Sequence, residues 1–459
     1  MSGLHSRYQP QQEADRFIHA LHLSNDADCY ILIEPGQGYL ISALRKAFPD
    51  KKIIALHADI CFREFESLNE VIPRWYPGSE TGVQEFLEKE IAETDKVKII
   101  EWRPSLNAYG ERYLLLLRQC TDFIKQNEAV KRTTAAFGLR WVKNFFRNLM
   151  ILEKTLLYKT MDVPVVITGA GPGLELDLPL LSAARENIFL LSASSSVQAL
   201  AAGGIVPDMV IGTDGGGWAL AHLYACSRRH GACALSLSLS AAMPSQCAAL
   251  PVLPVIDGSY WQGIAINAAG IPSLAIPQRG TVTASALELA LHLSTNKIFL
   301  SGMDLSIRGI VSHARPYGLD YQISGSASRL RPAYGQYFVR SGEIKAGGSY
   351  AVYAAWFKRR LGSLQRQVFY LNESGLPALH KKLDANCFKQ IDLPGGNAAG
   401  RCKKAAEALI AALRSPQQSE ALSAELSPLL FPSPGNASAA EIADSVYRIS
   451  RRYWGGNCG

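Results

Sequence analysis

Four clusters of small polar or ionisable residues stand at the ends of short apolar runs, and each suits a definable chemistry. Gly169-Ala-Gly-Pro-Gly173 follows the run Pro164–Thr168. Glycines after a parallel strand let the backbone approach a ligand closely, and exposed N–H groups favour an anion. The cluster has neither the Lys-Ser/Thr of a Walker loop nor the spacing of GxGxxG. Ser192-Ala-Ser-Ser-Ser196 ends the next run, where Ser192 and Ser194 suit either a sugar or base edge or plain capping of the following helix. Asp208 and Asp214 flank a third run. Asp214, before Gly215–Gly217, suits a ribose, a metal, an acceptor group or simply a turn. Arg279-Gly-Thr-Val-Thr-Ala-Ser285 opens a helical pattern. Its Thr281, Thr283 and Ser285 bring three hydroxyls to a helix N-terminus, whose unpaired N–H groups and dipole attract phosphate. Asp304 ends a further run, and His313 follows in Ser312-His-Ala-Arg315. A histidine near neutrality removes a proton from a hydroxyl nucleophile. Hydroxyls, Asp304 and His313 together point to catalysis. No second His or Cys stands at ligand spacing, so no metal site is expected.

The elements that must position these residues alternate between strand and helix. Residues 1–110 read as a Rossmann-like domain: strand Cys29–Ile33, the turn Glu34-Pro-Gly-Gln-Gly-Tyr39, a helix through Leu40, Leu44 and Phe48, then strand Lys52–Leu56. Gly36-x-Gly38 reads as a tight turn packed under that helix, with ligand binding as the alternative, though the rest of the phosphate fingerprint is missing. Residues 111–160 carry helical periodicity interrupted only by Gly138, a helical connector whose Lys131, Arg132, Arg140, Lys143 and Arg147 suit a solvated face or a partner-binding one. Residues 161–380 form the catalytic α/β domain. Strands are expected at Pro164–Thr168, Asn187–Leu191, Asp208–Thr213, Cys233–Leu239, Val252–Ile256 and Lys297–Leu300, with helices at Val197–Ala202 and Ala284–Leu293. This order predicts a mostly parallel sheet with ligands at the strand C-terminal ends. Residues 308–350 show little periodicity and read as a functional loop. Residues 381–459 read as a helical C-terminal region, with helices over Cys402–Leu413 and 439–453.

Composition sets broad limits. Of 459 residues, 48% are hydrophobic and 19% charged, which is ordinary globular usage and excludes disorder for most of the length. The net charge of +7 is too dilute for a nucleic-acid binder and suits anionic small molecules. Nine cysteines, none in a CxxC pair, fit a reducing compartment. With no apolar leader and no apolar run of membrane length, the expectation is a soluble, cytoplasmic chain without membrane association.

In this order the motifs resemble the motility accessory factor (Maf) family of flagellin glycosylation proteins. The resemblance rests on Gly169-Ala-Gly-Pro-Gly-Leu174, Ala201–Asp208 (AAGGIVPD), Asp214, Gly280-Thr-Val-Thr-Ala284, Ile298–Leu305 (IFLSGMDL) and Ser312-His-Ala314. Tyr370-Leu-Asn-Glu-Ser-Gly375, the Leu32–Leu40 turn, and Trp141, Asn144 and Asn148 extend it over most of the chain. The central, MptE-like pattern is also similar to one class of bacterial sialyltransferases. The chain departs from the family at Gly173, where Ser is usual, and at Gly-Gly-Gly-Trp218.

The resemblance implies a cytoplasmic glycosyltransferase that moves a nonulosonic, sialic-acid-like sugar from CMP to Ser or Thr hydroxyls of flagellin. It implies that Gly169, Gly171 and Gly173 approach the nucleotide and that Ser192 and Ser194 contact it. Thr281, Thr283 and Ser285 then face ribose or phosphate, His313 is the base, and Asp304 and Asp214 complete the catalytic set. Loop composition adds Arg315, Tyr317 and Tyr321 as phosphate-neutralising candidates. The same domain pattern occurs in 6-hydroxymethyl-dihydropterin diphosphokinases, for which Asp208, Asp214 and Asp304 would hold Mg²⁺. A third reading is a non-enzymatic flagellin-binding accessory protein.

Overall fold

The computed structural model describes residues 4–23, 27–60, 72–91, 95–227, 234–277, 280–347, 349–362, 364, 367–371, 387–393, 397–431 and 437–455. The chain divides into two compact units, Met1–Thr134 and Ala135–Gly459.

In the first unit, helix α1 (Pro10–Ala20) precedes β1 (Cys29–Ile33), α2 (Tyr39–Ala47), β2 (Lys52–Leu56), β3 (Arg74–Trp75), α3 (Val83–Glu90), β4 (Val97–Glu101) and α4 (Arg103–Tyr109). The strands form a parallel sheet in the order β3-β2-β1-β4. Alternate residues of β1 enter different cores: Tyr30 and Leu32 pack with α1 and α2, while Cys29, Ile31 and Ile33 pack with α3 and the start of α5 (Glu111–Ile151). The Gly36–Gly38 segment is the expected tight turn. Gly36 has φ +63° and lies against the His5 ring, where a Cβ would sit 2.7 Å from Nε2.

The second unit holds β5 (Lys154–Tyr158), β6 (Val165–Thr168), α6 (Leu174–Ala184), β7 (Phe189–Ala193), α7 (Val197–Ala202), β8 (Met209–Gly212), α8 (Gly217–Ser227), β9 (Ala234–Ser238), β10 (Val252–Ile256), α9 (Tyr260–Ala269), β11 (Leu274–Ala275), α10 (Val282–Leu293) and β12 (Ile298–Ser301). It continues with α11 (Gly318–Ser326), α12 (Ala333–Gly347), α13 (Ser349–Gly362), β13 (Val368–Tyr370), β14 (Phe388–Asp392), α14 (Ala398–Leu413), α15 (Ser419–Leu430) and α16 (Ala439–Trp454). Ten strands form one sheet in the order β13-β12-β6-β7-β8-β9-β10-β5-β14, with β11 beside β10. Every pairing is parallel except β14 with β5. The chain is α/β, as its alternation predicts. Strands β6, β7, β8 and β12 are buried on both faces, hence their continuous apolar runs.

Two readings are corrected and one is extended. The helical connector 111–160 is not one element: α5 ends at Ile151, and β5 joins the large sheet. Its strand residues Thr155 and Leu156 are buried, but five residues are too few to break a long helical period. The C-terminal region is helical as expected, and β14, ahead of its helices, pairs with β5. Its helices complete a core: Cys402, Leu409, Leu422, Leu426, Ile442 and Val446 pack in one cluster with Phe145, Phe146 and Trp261. The stretch 308–350 holds α11 and α12. Its period was hidden because Tyr321, Leu330, Tyr334 and Phe338 are more than half exposed.

Candidate active site

The sheet order places the topological switch between β6 and β12. From β6 the chain runs outward through β7 to β10, then returns through α10 to β12 on the other side. Open parallel sheets bind ligands in the crevice beyond the strand C-termini at such a point. There the glycine segment meets the Gly302–Asp304 loop. The N–H of Gly169 donates to Ser301 O at 2.8 Å, that of Gly171 to Gly302 O at 2.7 Å, and that of Gly173 to Asp304 Oδ2 at 2.7 Å. A Cβ on Gly169 would sit 2.5 Å from Gly302 O, and one on Gly171 or Gly173 would collide with the Asp304 carboxylate.

The glycines are thus demanded by close approach of protein to protein. The anion at the start of α6 is the Asp304 carboxylate, and the departure at Gly173 opens the space it fills. The three N–H groups expected to face a nucleotide are already paired. Asp177, unremarked in the sequence, joins them: it accepts from Ser301 Oγ at 2.6 Å, and burial, together with nearby Asp304, raises its pKa. Leu305, next to Asp304, has φ +44°, a left-handed conformation that leucine rarely adopts.

The loop bearing His313 is fixed to this edge. Ala314 N–H donates to Ala170 O at 2.8 Å, and Arg315 N–H donates to Glu175 Oε1 at 2.8 Å. The His313 ring stacks on Tyr317 at 4.0 Å between centroids and 10° between planes, and Nδ1 lies 2.8 Å from Ser312 Oγ. Desolvation, with smaller repulsion from His222 and Arg340, lowers the His313 pKa to about 4. Burial pushes the Tyr317 hydroxyl up to about 12. The ring of His222, on α8, lies 5.2 Å from Tyr317 on a tilted approach, and Asp214 acts on it electrostatically. A neutral imidazole, a protonated phenol and the exposed Asp214 carboxylate therefore share one edge.

Helix α5 holds the loops that follow β8 and β9. Asn144 Nδ2 donates to Gly215 O and Ser240 O, and Asn148 Nδ2 donates to Leu239 O at 2.9 Å and Ala241 O at 2.8 Å. Trp141 packs directly on Gly215.

Other expected residues serve the scaffold. Ser192 is fully buried with its Oγ 2.8 Å from Ser196 Oγ, and Ser196 bonds Thr168 O, so this serine cluster joins the ends of β6 and β7. Ser194 is buried in the adjoining turn. Thr281 caps α10, its Oγ1 accepting from Ala284 N–H at 3.1 Å; Thr283 is half-buried and Ser285 is buried. Tyr353 packs against Gly280, bringing α13 to this helix start. Arg279 lies outside the described residues, as do Asn372–Gly375 of the expected closing segment. Arg315 pairs with Glu175, and Tyr321 is 66% exposed. The cation acting on His313 and Tyr317 is instead Arg340, from a helix without apolar period. Asp208 precedes β8, at the opposite, N-terminal end of the strands, and binds Arg185 at 2.7 Å. It does not meet Asp214 and Asp304. Among the described residues no group of three or more His, Cys, Asp or Glu is arranged to hold a metal ion, and no helix is long and apolar enough to cross a membrane.

Residues 140–309 match the family model described as 6-hydroxymethylpterin diphosphokinase MptE-like. This span holds the glycine loop, Asp214, the α10 start and Asp304, so the MptE-like resemblance read from these motifs is met. The chain is 26% identical over 219 residues to an uncharacterized protein of Treponema pallidum (strain Nichols), covering 48% of each. It is 28% identical over 215 residues to another uncharacterized protein of that strain, covering 44% of this chain and 37% of the relative. The chain thus spans about half or less of the curated relatives it matches. In structure it is similar to the MAf glycosyltransferase of Magnetospirillum magneticum AMB-1, with TM-score 0.47 and 13% identity, covering 96% of this chain and 78% of that one.

Proposed function

We propose that the chain is a glycosyltransferase that moves a nonulosonic sugar from a CMP-activated donor to Ser or Thr hydroxyls of flagellin, in support of flagellar assembly. The observation that carries this reading is the His313–Tyr317 stack at the switch-point edge, a neutral base against a protonated phenol. If Nδ1–H donates to Ser312 Oγ, Nε2 is left to accept the proton of the acceptor hydroxyl. That oxygen bonds to the anomeric carbon as the bond to the CMP phosphate breaks, and the electron pair leaves with the phosphate. Tyr317 O–H and the Arg340 guanidinium steady the departing charge. A donor carrying a carboxylate and a phosphate offsets the desolvation of the imidazole and raises its basicity when bound.

The test is transfer from a CMP-nonulosonate to purified flagellin, read by intact mass. His313→Ala is expected to lower the rate about 10²–10⁴-fold; a near-normal rate removes His313 as base. The diphosphokinase reading draws on the description of the matching family. It predicts Mg²⁺-dependent ATP turnover with a pterin, which would overturn transfer, whereas tight CMP or CTP binding without ATP binding supports it. The position of Asp208 speaks against a three-aspartate magnesium site. Flagellin binding that survives loss of both His313 and Asp214, with no sugar added by the intact chain, would favour the accessory-protein reading.

A further inference from the structure

His222 stands out among the buried polar groups. The residue is 7% exposed, and its Nε2 is buried without a hydrogen-bond partner. An imidazole nitrogen in that state is costly unless a ligand or an ordered water completes the bonding. The ring belongs to the chemical edge of the sheet: it neighbours Tyr317, whose other neighbour is the His313 ring, and its Nε2 edge faces Gly318 at the start of α11. Gly318 adds no side chain there, and a Cβ would stand 3.4 Å from Nε2.

We infer that His222 is a substrate-contacting residue whose Nε2–H is held for an anionic oxygen, carboxylate or phosphate, of the bound donor. This rests on the transfer reading and adds to it a residue that no sequence motif marks. Burial lowers the His222 pKa, with Asp214 opposing, so the group acts at neutral pH as a neutral donor rather than a cation. Glutamine, which can carry an N–H to a similar position, therefore substitutes for it. Phenylalanine keeps the ring packing against Tyr317 and removes both nitrogens.

The experiment is calorimetric titration of the full chain with CMP-N-acetylneuraminate, alongside melting temperatures, for wild type, His222→Phe and His222→Gln. A charged-group hydrogen bond corresponds to a loss of about ten- to hundredfold in affinity for H222F, with H222Q within about threefold of wild type. Unchanged affinity in H222F overturns this inference and leaves the transfer reading intact. Equal loss in both variants, with lowered melting temperatures, assigns His222 a structural role and also overturns it. A wild-type chain that binds no CMP compound overturns the transfer reading, and this inference with it.

Discussion

At the scale of single residues, His313 gives the sharpest prediction. Its folded pKa of about 4 lies below the ordinary 6.5, so on acidification the unfolded chain takes up the proton first. The stability it contributes is complete above about pH 6.5 and is lost as the pH falls through 4. For a shift of this size the loss is on the order of 3 kcal/mol. Urea denaturation between pH 7 and 4 is expected to show that loss in wild type and a shallower dependence in His313→Asn. A slope unchanged by the substitution would mean the imidazole is not desolvated. His5 and His222, lowered in the same direction, account for part of what remains. Gly173 gives a second prediction. Gly173→Ala pushes on the Asp304 carboxylate and costs about 1–3 kcal/mol. In combination with Asp304→Ala the cost falls below the sum of the single changes, because the clash has lost its second partner. Thermal melts of the four chains give the coupling; strict additivity would place Asp304 elsewhere.

At the scale of elements, the question is whether a polar residue serves a helix or a ligand. Thr281 caps α10, so Thr281→Ala is expected to cost about 1 kcal/mol and Thr281→Ser almost nothing. If T281S bound CMP tenfold more weakly at full stability, Thr281 would be a ligand contact instead. Asn148 holds two loop carbonyls with one amide, and Asn148→Ala leaves both without that donor, at roughly 1–3 kcal/mol. Chemical denaturation measures this directly. Gly138 has an element-scale role as well: a Cβ there would sit 2.6 Å from Leu429 Cα, so the one break in the α5 pattern is where α15 approaches the helix backbone.

At the scale of the molecule, the C-terminal helices belong to the fold of the second unit. Arg401 of α14 donates to Leu149 O and Leu152 O at the end of α5, carbonyls that a helix C-terminus leaves unpaired. The same helices bury the apolar residues that pack against Phe145, Phe146 and Trp261. Deletion of residues 398–459 is therefore expected to yield insoluble protein rather than a trimmed, folded chain. Recovery of a soluble chain with a cooperative melt would show that these helices are dispensable.

The sequence by itself determined the most buried strands, because β1, β2, β6 and β10 are runs of apolar residues whose burial on both faces needs no knowledge of their neighbours. It determined α7, which ends before Gly203-Gly204, and the start of α10, where a β-region Thr281 precedes a helical run. It did not determine β5 or β14, whose strand state depends on pairing across more than two hundred residues of chain. Nor did it separate Ser192, turned inward to Ser196 near the end of β7, from Tyr317, turned toward His313 just before α11. Asp208 and Asp214 look equivalent in sequence, yet β8 runs between them and delivers them to opposite ends of the strands. Tertiary structure alone brought His222, Arg340 and Asp177 to the site. Their elements carry no motif, and only the packing of α6, α8 and α12 onto the strand ends gives their charge and burial a chemical meaning.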